Sequence, residues 1–330
     1  MTLRRSLEII RSPAGRLATA SLGLCAVILL LLHTGVHAVV LALSHAASFF
    51  PWILLLEGAI LACSLSALRA LYGEDRHRIP MRALVRAGLI GYVVMALVPA
   101  GRTAAEAARA ALLSRYSSGT RAAAAAAKLQ ALSLLANAAI SIPAMIAVYC
   151  VLGLSLPTGL IAINLILTGA LGTGILIAAR GAWMGAWVGR RVNAVGESGR
   201  EFDRHFSTSD ASSFQAFGWE LLGRVLQVLQ NGLLVASVGG ALGILPAFCS
   251  EALHLVGAAA GDLIPAQLGA TELSYRFSAA ALALRPADSL SIALLAHTSQ
   301  LFWVAAGILI PATLGSTPET SDRVSSCAPS

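Results

Sequence analysis

The sequence has little charge, almost no lysine and no closely spaced cysteines. Only 12% of its 330 residues are charged, whereas a soluble domain carries about 25%. Because 57% of the residues are hydrophobic, the composition excludes disordered and collagen-like chains, and we expect no nucleic-acid partner. The formal net charge of +7 comes from 22 arginines and the single Lys128, balanced by the acidic residues. In so apolar a chain this excess indicates membrane topology and contact with phospholipid.

The few cysteines are too far apart to form a framework. All but the last lie within apolar runs, which is typical of small buried side chains and not of a disulfide scaffold or metal site: Cys25, Cys63, Cys150, Cys249 and Cys327. His33 and His37 have a spacing that can bind zinc, but without a nearby glutamate or cysteine we interpret them as packing or interfacial residues. We expect no metal and no cofactor.

Long apolar runs are what the sequence does contain. Residues 17–43 and 49–71 each exceed the roughly 20 residues that cross a bilayer, and the mean hydropathy is +0.77. The runs predict an all-α polytopic membrane protein with about six full spans. We place these spans at residues 17–43, 49–71, 122–152 with an interruption at Pro143, 160–179, 214–242 and 290–314.

The arginine content of the connections orients the spans. Residues 72–88 hold four arginines and residues 180–213 hold five, whereas residues 44–48 and 155–158 hold none. By the positive-inside rule the arginine-rich connections are cytoplasmic, and Arg285 is the only basic residue in an external connection. We therefore expect a multi-pass protein of the bacterial inner membrane with both termini in the cytoplasm.

Two further segments are predicted to be re-entrant helical hairpins. Residues 83–117 contain Pro99 and are too rich in arginine for a lipid-facing span, and residues 246–284 contain Pro265. Each would enter the membrane, turn near its proline and return inside the protein bundle. The chain then divides into N-terminal spans (1–81), a first repeat (82–179), a cytoplasmic linker (180–213), a second repeat (214–314) and a disordered tail (315–330).

A shift of 166 residues lays the second half of the chain on the first. It aligns Pro99 with Pro265 and Glu106 with Glu272, so a spacing of seven between proline and glutamate occurs twice. Because the first hairpin opens to the cytoplasm and the second to the outside, the two units are predicted to be inverted repeats. Inverted repeats with broken helices are the architecture of alternating-access transporters. The alternative is that a duplication shaped the fold of a protein that transports nothing.

Ionisable residues at membrane depth are expensive and are candidates for function. Arg102, Glu106 and Arg109 share one helical face. Arginine suits a phosphate headgroup because its planar fork donates two hydrogen bonds at once, and Glu106 would orient both arginines. The alternative is an interfacial helix whose arginines extend to the membrane surface.

Other polar residues complete the predicted substrate-binding set. Glu220 and Arg224 belong to a polar stripe that continues through Gln227 and Asn231, and they either neutralise each other or contact a headgroup. The second hairpin also contains an acidic residue and an arginine four residues apart, Glu272 and Arg276. The full prediction is Arg102, Glu106, Arg109, Lys128, Glu220, Arg224, Asp262, Glu272 and Arg276, with Glu57 and His297 as single polar residues that have no obvious partner.

The sequences VPAGRTAAEAAR (98–109) and IPAQLGATE (264–272) resemble motifs of the transmembrane region of lysylphosphatidylglycerol synthases and their stand-alone flippase-like relatives. Here Ala105 replaces a glycine of the first motif, and the second motif is poor in glycine. The resemblance covers roughly residues 82–314. It implies an inner-membrane protein that moves or handles a lipid, such as an aminoacylated phospholipid or a lipid-linked product, and some relatives are associated with hopanoid synthesis. Bifunctional members carry a soluble aminoacyl-transferase domain after the spans, and we expect this chain to lack that activity.

The leading hypothesis is a lipid flippase whose arginines bind the headgroup and whose hairpins expose it alternately. It predicts that Arg102, Glu106, Glu272 and Arg276 converge in one cavity. One alternative is a scaffold that binds lipid-synthesis enzymes through residues 180–213. Another is a membrane-embedded lipid-modifying enzyme with Glu106 or Glu272 as general base, but the sequence has no matching nucleophile or metal cluster, so we expect no enzyme.

Overall fold

The computed structural model describes residue 44 and residues 46–98, 101–180, 196–207, 210–262, 264, 267 and 269–313. These residues form α-helices and short 3-10 helices, with no strand among them. The predicted first span, the turn residues Pro99 and Pro265 and the predicted tail lie outside the described residues. The all-helical class predicted from the apolar runs is confirmed for the rest.

Ten α-helices follow one another along the described chain. They are α1 (Phe50–Leu71), α2 (Met81–Leu97), α3 (Gly101–Leu113), α4 (Gly119–Leu152), α5 (Leu156–Arg180), α6 (Gly196–Ser207), α7 (Asp210–Ser237), α8 (Ile244–Ala260), α9 (Ala270–Phe277) and α10 (Pro286–Thr313). Short 3-10 helices at Gly73–His77, Ser114–Tyr116 and Ala279–Leu282 lie in three of the connections.

Four of these helices are long and apolar enough to cross a membrane. They are Phe50–Leu71, Gly119–Leu152, Leu156–Ala178 and Pro286–Pro311. Helix α5 carries apolar side chains that are more than half exposed, including Ile163 and Ile166, as expected of a surface in contact with lipid. The chain is therefore a multi-pass membrane protein, and the figure of six spans stays a prediction.

Helix α4 runs without a break through Pro143, although the proline was expected to interrupt it. A proline removes one backbone hydrogen bond and normally kinks or ends a helix. In an apolar bundle the helix persists because neighbouring helices and local adjustment satisfy the freed carbonyl. The helix is 34 residues long and packs along much of its length against α5.

The two segments predicted as hairpins are pairs of antiparallel helices. In the first, Gly101 at the start of α3 lies against the backbone carbonyl of Met95 near the end of α2, where a Cβ has no room. In the second, Ser274 Oγ on α9 donates a hydrogen bond of 2.7 Å to the carbonyl of Leu253 on α8. The chain therefore turns back on itself at both places.

Helix α6 occupies part of the stretch predicted to be a linker. It packs against α4 and α5, and the ring of Phe206 is buried against Ala124. Lys128 on α4 extends towards this helix, with its Nζ 5.3 Å from the centre of the Phe206 ring. Part of the linker is thus docked on the helical bundle.

The packing of the helices repeats with the shift of 166 residues. Helices α1 and α7 end 166 residues apart, at Leu71 and Ser237, and each is followed by a glycine with a left-handed backbone, Gly73 and Gly239. Under the shift α1, α2, α3 and α4 correspond to α7, α8, α9 and α10. Helix α2 packs on α10 just as α8 packs on α4, and α1 packs on its own counterpart α7.

Trp303 of α10 joins this helix to α1. Its indole Nε1 donates a hydrogen bond of 3.2 Å to the carbonyl of Leu54, and a Cβ at Gly58 would lie 2.6 Å from its ring. Gly58 therefore provides the space that the indole fills.

Candidate functional site

A polar cavity of about 230 Å³ lies where α1, α2, α3, α4, α7, α8 and α10 meet, with Thr271 of α9 also at its wall. Residues of both hairpins line it. The ionisable groups along the wall are Glu57, Arg102, Glu106, Arg109, Glu220, Arg224, His254 and His297. Three carboxylates and three guanidinium groups thus share one cavity within an apolar bundle, where charges interact strongly.

Glu106 and Arg109 form an ion pair on α3. Arg109 Nη1 donates to Glu106 Oε1 across one helical turn; Arg109 is buried and Glu106 is partly buried. Arg109 fits because Gly91 on the facing helix α2 has no side chain: a Cβ there would come 2.5 Å from Arg109 Nε. The second oxygen, Glu106 Oε2, is buried without a hydrogen-bond partner.

Glu57 is held by two neutral side chains from neighbouring helices. Tyr92 on α2 donates to Oε1 at 2.7 Å, and Gln230 on α7 donates to Oε2 at 2.7 Å. Gln230 also donates to the carbonyl of Ile53 at 3.1 Å. Both carboxylate oxygens are therefore satisfied without an arginine, and the contacts join α1, α2 and α7.

Arg224 does not pair with Glu220, although the sequence allowed that the two neutralise each other. Its guanidinium donates to Gln227 Oε1 at 2.8 Å and to Ser133 Oγ on α4 at 3.4 Å. Glu220 is 8% exposed, and its Oε1 has no hydrogen-bond partner. Glu220 and Arg224 both line the cavity, but they do not pair with each other.

Arg102 is the least constrained of the three cavity arginines. It is partly buried, and no described residue makes a hydrogen bond or ion pair with its guanidinium. The positive charge of Arg224 acts on it, as do the negative charges of Asp262, Glu251 and Glu220. Asp262, at the end of the first limb of the second hairpin, therefore contributes to the electrostatics of the cavity without lining it.

In the second hairpin, Glu272 turns away from Arg276. One carboxylate oxygen accepts a hydrogen bond of 2.8 Å from the backbone N–H of Gly269, and the other lies 3.3 Å from His297 Nε2 on α10. That second contact is an ion pair only when the imidazole is protonated. Arg276 is exposed, so the structure does not bring it to the cavity.

Lys128 also lies away from the cavity. It is buried, and its ammonium group faces Phe206 on α6. Of the nine predicted residues, five line the cavity: Arg102, Glu106, Arg109, Glu220 and Arg224.

A comparison with protein families identifies the chain. The family model described as lysylphosphatidylglycerol synthase TM region matches residues 17–307. The chain belongs to this family. No curated protein and no solved structure matches it. Membership makes it a lysylphosphatidylglycerol synthase-like membrane protein linked to lipid handling, and the matched residues include both hairpins and the whole wall of the cavity.

Sequence reasoning missed two ionisable residues of this lysylphosphatidylglycerol synthase-like protein, one buried behind the cavity wall and one that lines it. Glu251 on α8 is fully buried and accepts a hydrogen bond of 2.6 Å from Asn231 Nδ2, and His254 one turn further along α8 lines the cavity. An ionisable residue inside an apolar run is the signal that singled out the other candidates, and it applies equally to Glu251. No local spacing in the sequence indicates that Tyr92 contacts Glu57, because the two residues lie on different helices.

The described ranges contain no group of three or more histidine, cysteine, aspartate or glutamate side chains that could hold a metal ion. The cavity wall offers guanidinium, carboxylate and imidazole groups, which can bind an anion, a cation or a proton.

Proposed function

We propose that this protein is a lipid flippase or lipid transporter that binds the anionic headgroup of its substrate in the cavity. The observation that carries the proposal is the pair of arginines Arg102 and Arg224. They come from the first hairpin and from α7, they are close enough for their charges to interact, and neither forms an ion pair with a carboxylate.

Two guanidinium groups that line one cavity without a carboxylate partner repel each other and favour an anion between them. Guanidinium binds phosphate through two parallel, charge-assisted hydrogen bonds, and it loses less hydration than an ammonium group does. A phospholipid headgroup supplies such an anion at the membrane surface. The polar cavity wall, surrounded by apolar helix surfaces, suits a ligand with a charged head and apolar chains.

The repeated packing supports movement of that headgroup. Helix α2 packs on α10, and its counterpart α8 packs on α4, which is the counterpart of α10. A two-fold axis between the halves would produce this pattern. If the hairpins do not cross the membrane, α4 and α5 are the only described helices that cross between α1 and α7, and the counterparts α1 and α7 then run in opposite directions. The halves would then be inverted repeats that meet at the cavity, as in alternating-access transporters.

The same count of crossings orients the protein. Arg76 and Arg78 follow α1 and face the cytoplasm, whereas Arg285 precedes α10 on the outer side. In this proposal the protein lies in the bacterial inner membrane with cytoplasmic termini. It binds a phospholipid or lipid-linked substrate and performs no covalent chemistry.

Mass spectrometry of the lipids retained by the purified protein tests the headgroup site. Arg102→Ala and Arg224→Ala should each reduce retention of one anionic lipid class by about tenfold or more, since a charge-assisted hydrogen bond contributes about 1.5–3 kcal/mol. Arg276→Ala is the matched control, because it removes an exposed arginine outside the cavity and should leave retention unchanged.

Reconstitution in vesicles tests the movement. The retained lipid class, labelled on an acyl chain, should cross the bilayer faster with the wild-type protein and with Arg276→Ala than with either cavity variant. Retention of bulk lipid alone, identical in all four proteins, would contradict the headgroup site and favour a scaffold of a lipid-synthesis pathway.

A further inference from the structure

Glu251 is the most deeply buried carboxylate of the described residues, with a relative exposure of 0%. Asn231 Nδ2 on α7 donates to its Oε2 at 2.6 Å. Its other oxygen, Oε1, is buried and has no hydrogen-bond partner. A buried carboxylate that lacks a hydrogen bond at one oxygen is energetically unfavourable when it is ionised, and that oxygen can accept a proton.

The groups that face Glu251 come from several helices. Arg224 on α7 and Arg102 on α3 act on it as positive charges, although neither forms an ion pair with it. The hydroxyl of Tyr275 on α9 lies within electrostatic range and is itself bonded to Ser250. On its own helix, His254 stands one turn further along and lines the cavity.

Glu251 therefore shares its counter-charges with the proposed headgroup site. When the cavity is empty, Arg102 and Arg224 stabilise the Glu251 carboxylate. An anion between the arginines neutralises that stabilisation and favours the protonated form of Glu251. Conversely, a protonated Glu251 leaves both arginines free to attract the anion, since coupling between two binding sites is reciprocal.

We propose that Glu251 is a proton-binding site coupled to the anion site, so that a headgroup and a proton bind together. The proposal rests on the proposed function. The balance is simple: water supplies one proton to a Glu251 oxygen as the anion enters, and the proton leaves as the anion leaves. With inverted repeats on either side of the cavity, a proton gradient across the membrane would drive the lipid in the direction of proton flow.

The three carboxylates that line the cavity are less suited to this role. Both oxygens of Glu57 accept hydrogen bonds from neutral donors, and Glu106 is paired with Arg109. Glu106 and Glu220 each have a buried oxygen without a partner, but Glu220 has no ion pair to hold it ionised, so it is the competitor that the experiment must separate from Glu251.

Binding of phosphatidylglycerol across a range of pH provides the test. The full-length protein is placed in nanodiscs of phosphatidylcholine, and acyl-labelled phosphatidylglycerol is titrated by energy transfer from the tryptophans between about pH 5 and pH 8. The phosphodiester of this lipid stays ionised over the range. The wild-type affinity should rise as pH falls, by at most about tenfold per pH unit for one coupled proton. Labelled phosphatidylcholine should show no such slope.

Variants identify the residue whose protonation causes the change of affinity with pH. Glu251→Gln should bind phosphatidylglycerol with an affinity that no longer changes with pH. Glu57→Gln, Glu220→Gln and His254→Gln should keep the wild-type slope, whatever their affinity at a single pH. The assignment to Glu251 is overturned by a slope that persists in Glu251→Gln, or by one that disappears instead in Glu220→Gln or His254→Gln.

The failures of the two proposals can be told apart. Binding of phosphatidylglycerol that requires Arg102 and Arg224 but has no pH slope overturns the proton site and leaves the headgroup site standing. Absence of any arginine-dependent binding of an anionic lipid overturns both. A Glu251→Gln protein that does not fold is replaced by Asn231→Leu, which removes the donor to Oε2 and should change the slope without removing the carboxylate; an unaltered slope then counts against Glu251.

Discussion

Gly91 lies directly beneath the side chain of Arg109, where a Cβ would come 2.5 Å from the guanidinium Nε. The glycine of α2 therefore sets the position of an arginine on α3. Because that arginine holds Glu106 at the cavity wall, a backbone position on one limb of the hairpin controls a charge on the other.

Gly91→Ala should displace Arg109 and weaken the hairpin. Overpacking in a well-packed interior costs about 1–3 kcal/mol, and here the lower half of that range applies because the obstructing atoms belong to a flexible side chain. SDS-induced unfolding in mixed micelles measures the change. Gly174→Ala on α5 is the control, because a Cβ there meets nothing within 4 Å, and its stability should stay equal or rise by up to about 1 kcal/mol.

Gly257→Ala should destabilise the protein more than Gly91→Ala does. Gly257 is the counterpart of Gly91 under the shift of 166 residues, but its Cβ would come 2.7 Å from the Cα of Thr271. A backbone atom cannot rotate away, so α9 must separate from α8. The same unfolding measurement compares the two variants, and an equal or smaller loss for Gly257→Ala would show that the second hairpin is more loosely packed than described.

Tyr92→Phe should destabilise the contacts around Glu57. It leaves one carboxylate oxygen without its donor, which costs about 1–3 kcal/mol for a buried group. Tyr149→Phe is the control, since Tyr149 is 52% exposed on α4 and should tolerate the loss of its hydroxyl. Thermal unfolding in detergent would measure both, and equal midpoints would contradict the role of Tyr92.

Single cysteines at two exposed arginines test the proposed orientation. In a background without the native cysteines, Arg76→Cys and Arg285→Cys should react with a membrane-impermeant maleimide from opposite sides of the membrane. Sealed vesicles of known orientation make the comparison. Labelling of both from one side would contradict the arrangement of crossings and hairpins.

Local spacing rules predicted the local part of the site. Glu106 and Arg109 are one turn apart on a single helix, so their pairing could be expected from the sequence. That Arg102 and Arg224 line the same cavity could not, because it depends on how α3 and α7 are placed around the cavity. The same holds for Tyr92 and Gln230, which reach Glu57 from two other helices.

The same rules failed where a closer partner was available. Glu272 and Arg276 have the spacing of an ion pair on a helix. However, α9 has only eight residues, and Glu272 accepts a hydrogen bond from the backbone N–H of Gly269 at the start of the helix. That N–H needs an acceptor, and the carboxylate is the nearest one. Arg276 then remains exposed. Lys128 likewise lies on α4 but faces α6, a helix within the stretch that the sequence predicts to be a linker.

The indole of Trp303 gives the protein an optical probe of its own. It lies between α10 and α1, which belong to different halves of the chain, whereas Trp52 and Trp219 are exposed on other surfaces. With Trp52, Trp183, Trp187 and Trp219 replaced by phenylalanine, the emission wavelength of the remaining indole would report the polarity of that single contact. A red shift upon addition of lipid would then record the two halves moving apart, in real time and without an attached dye.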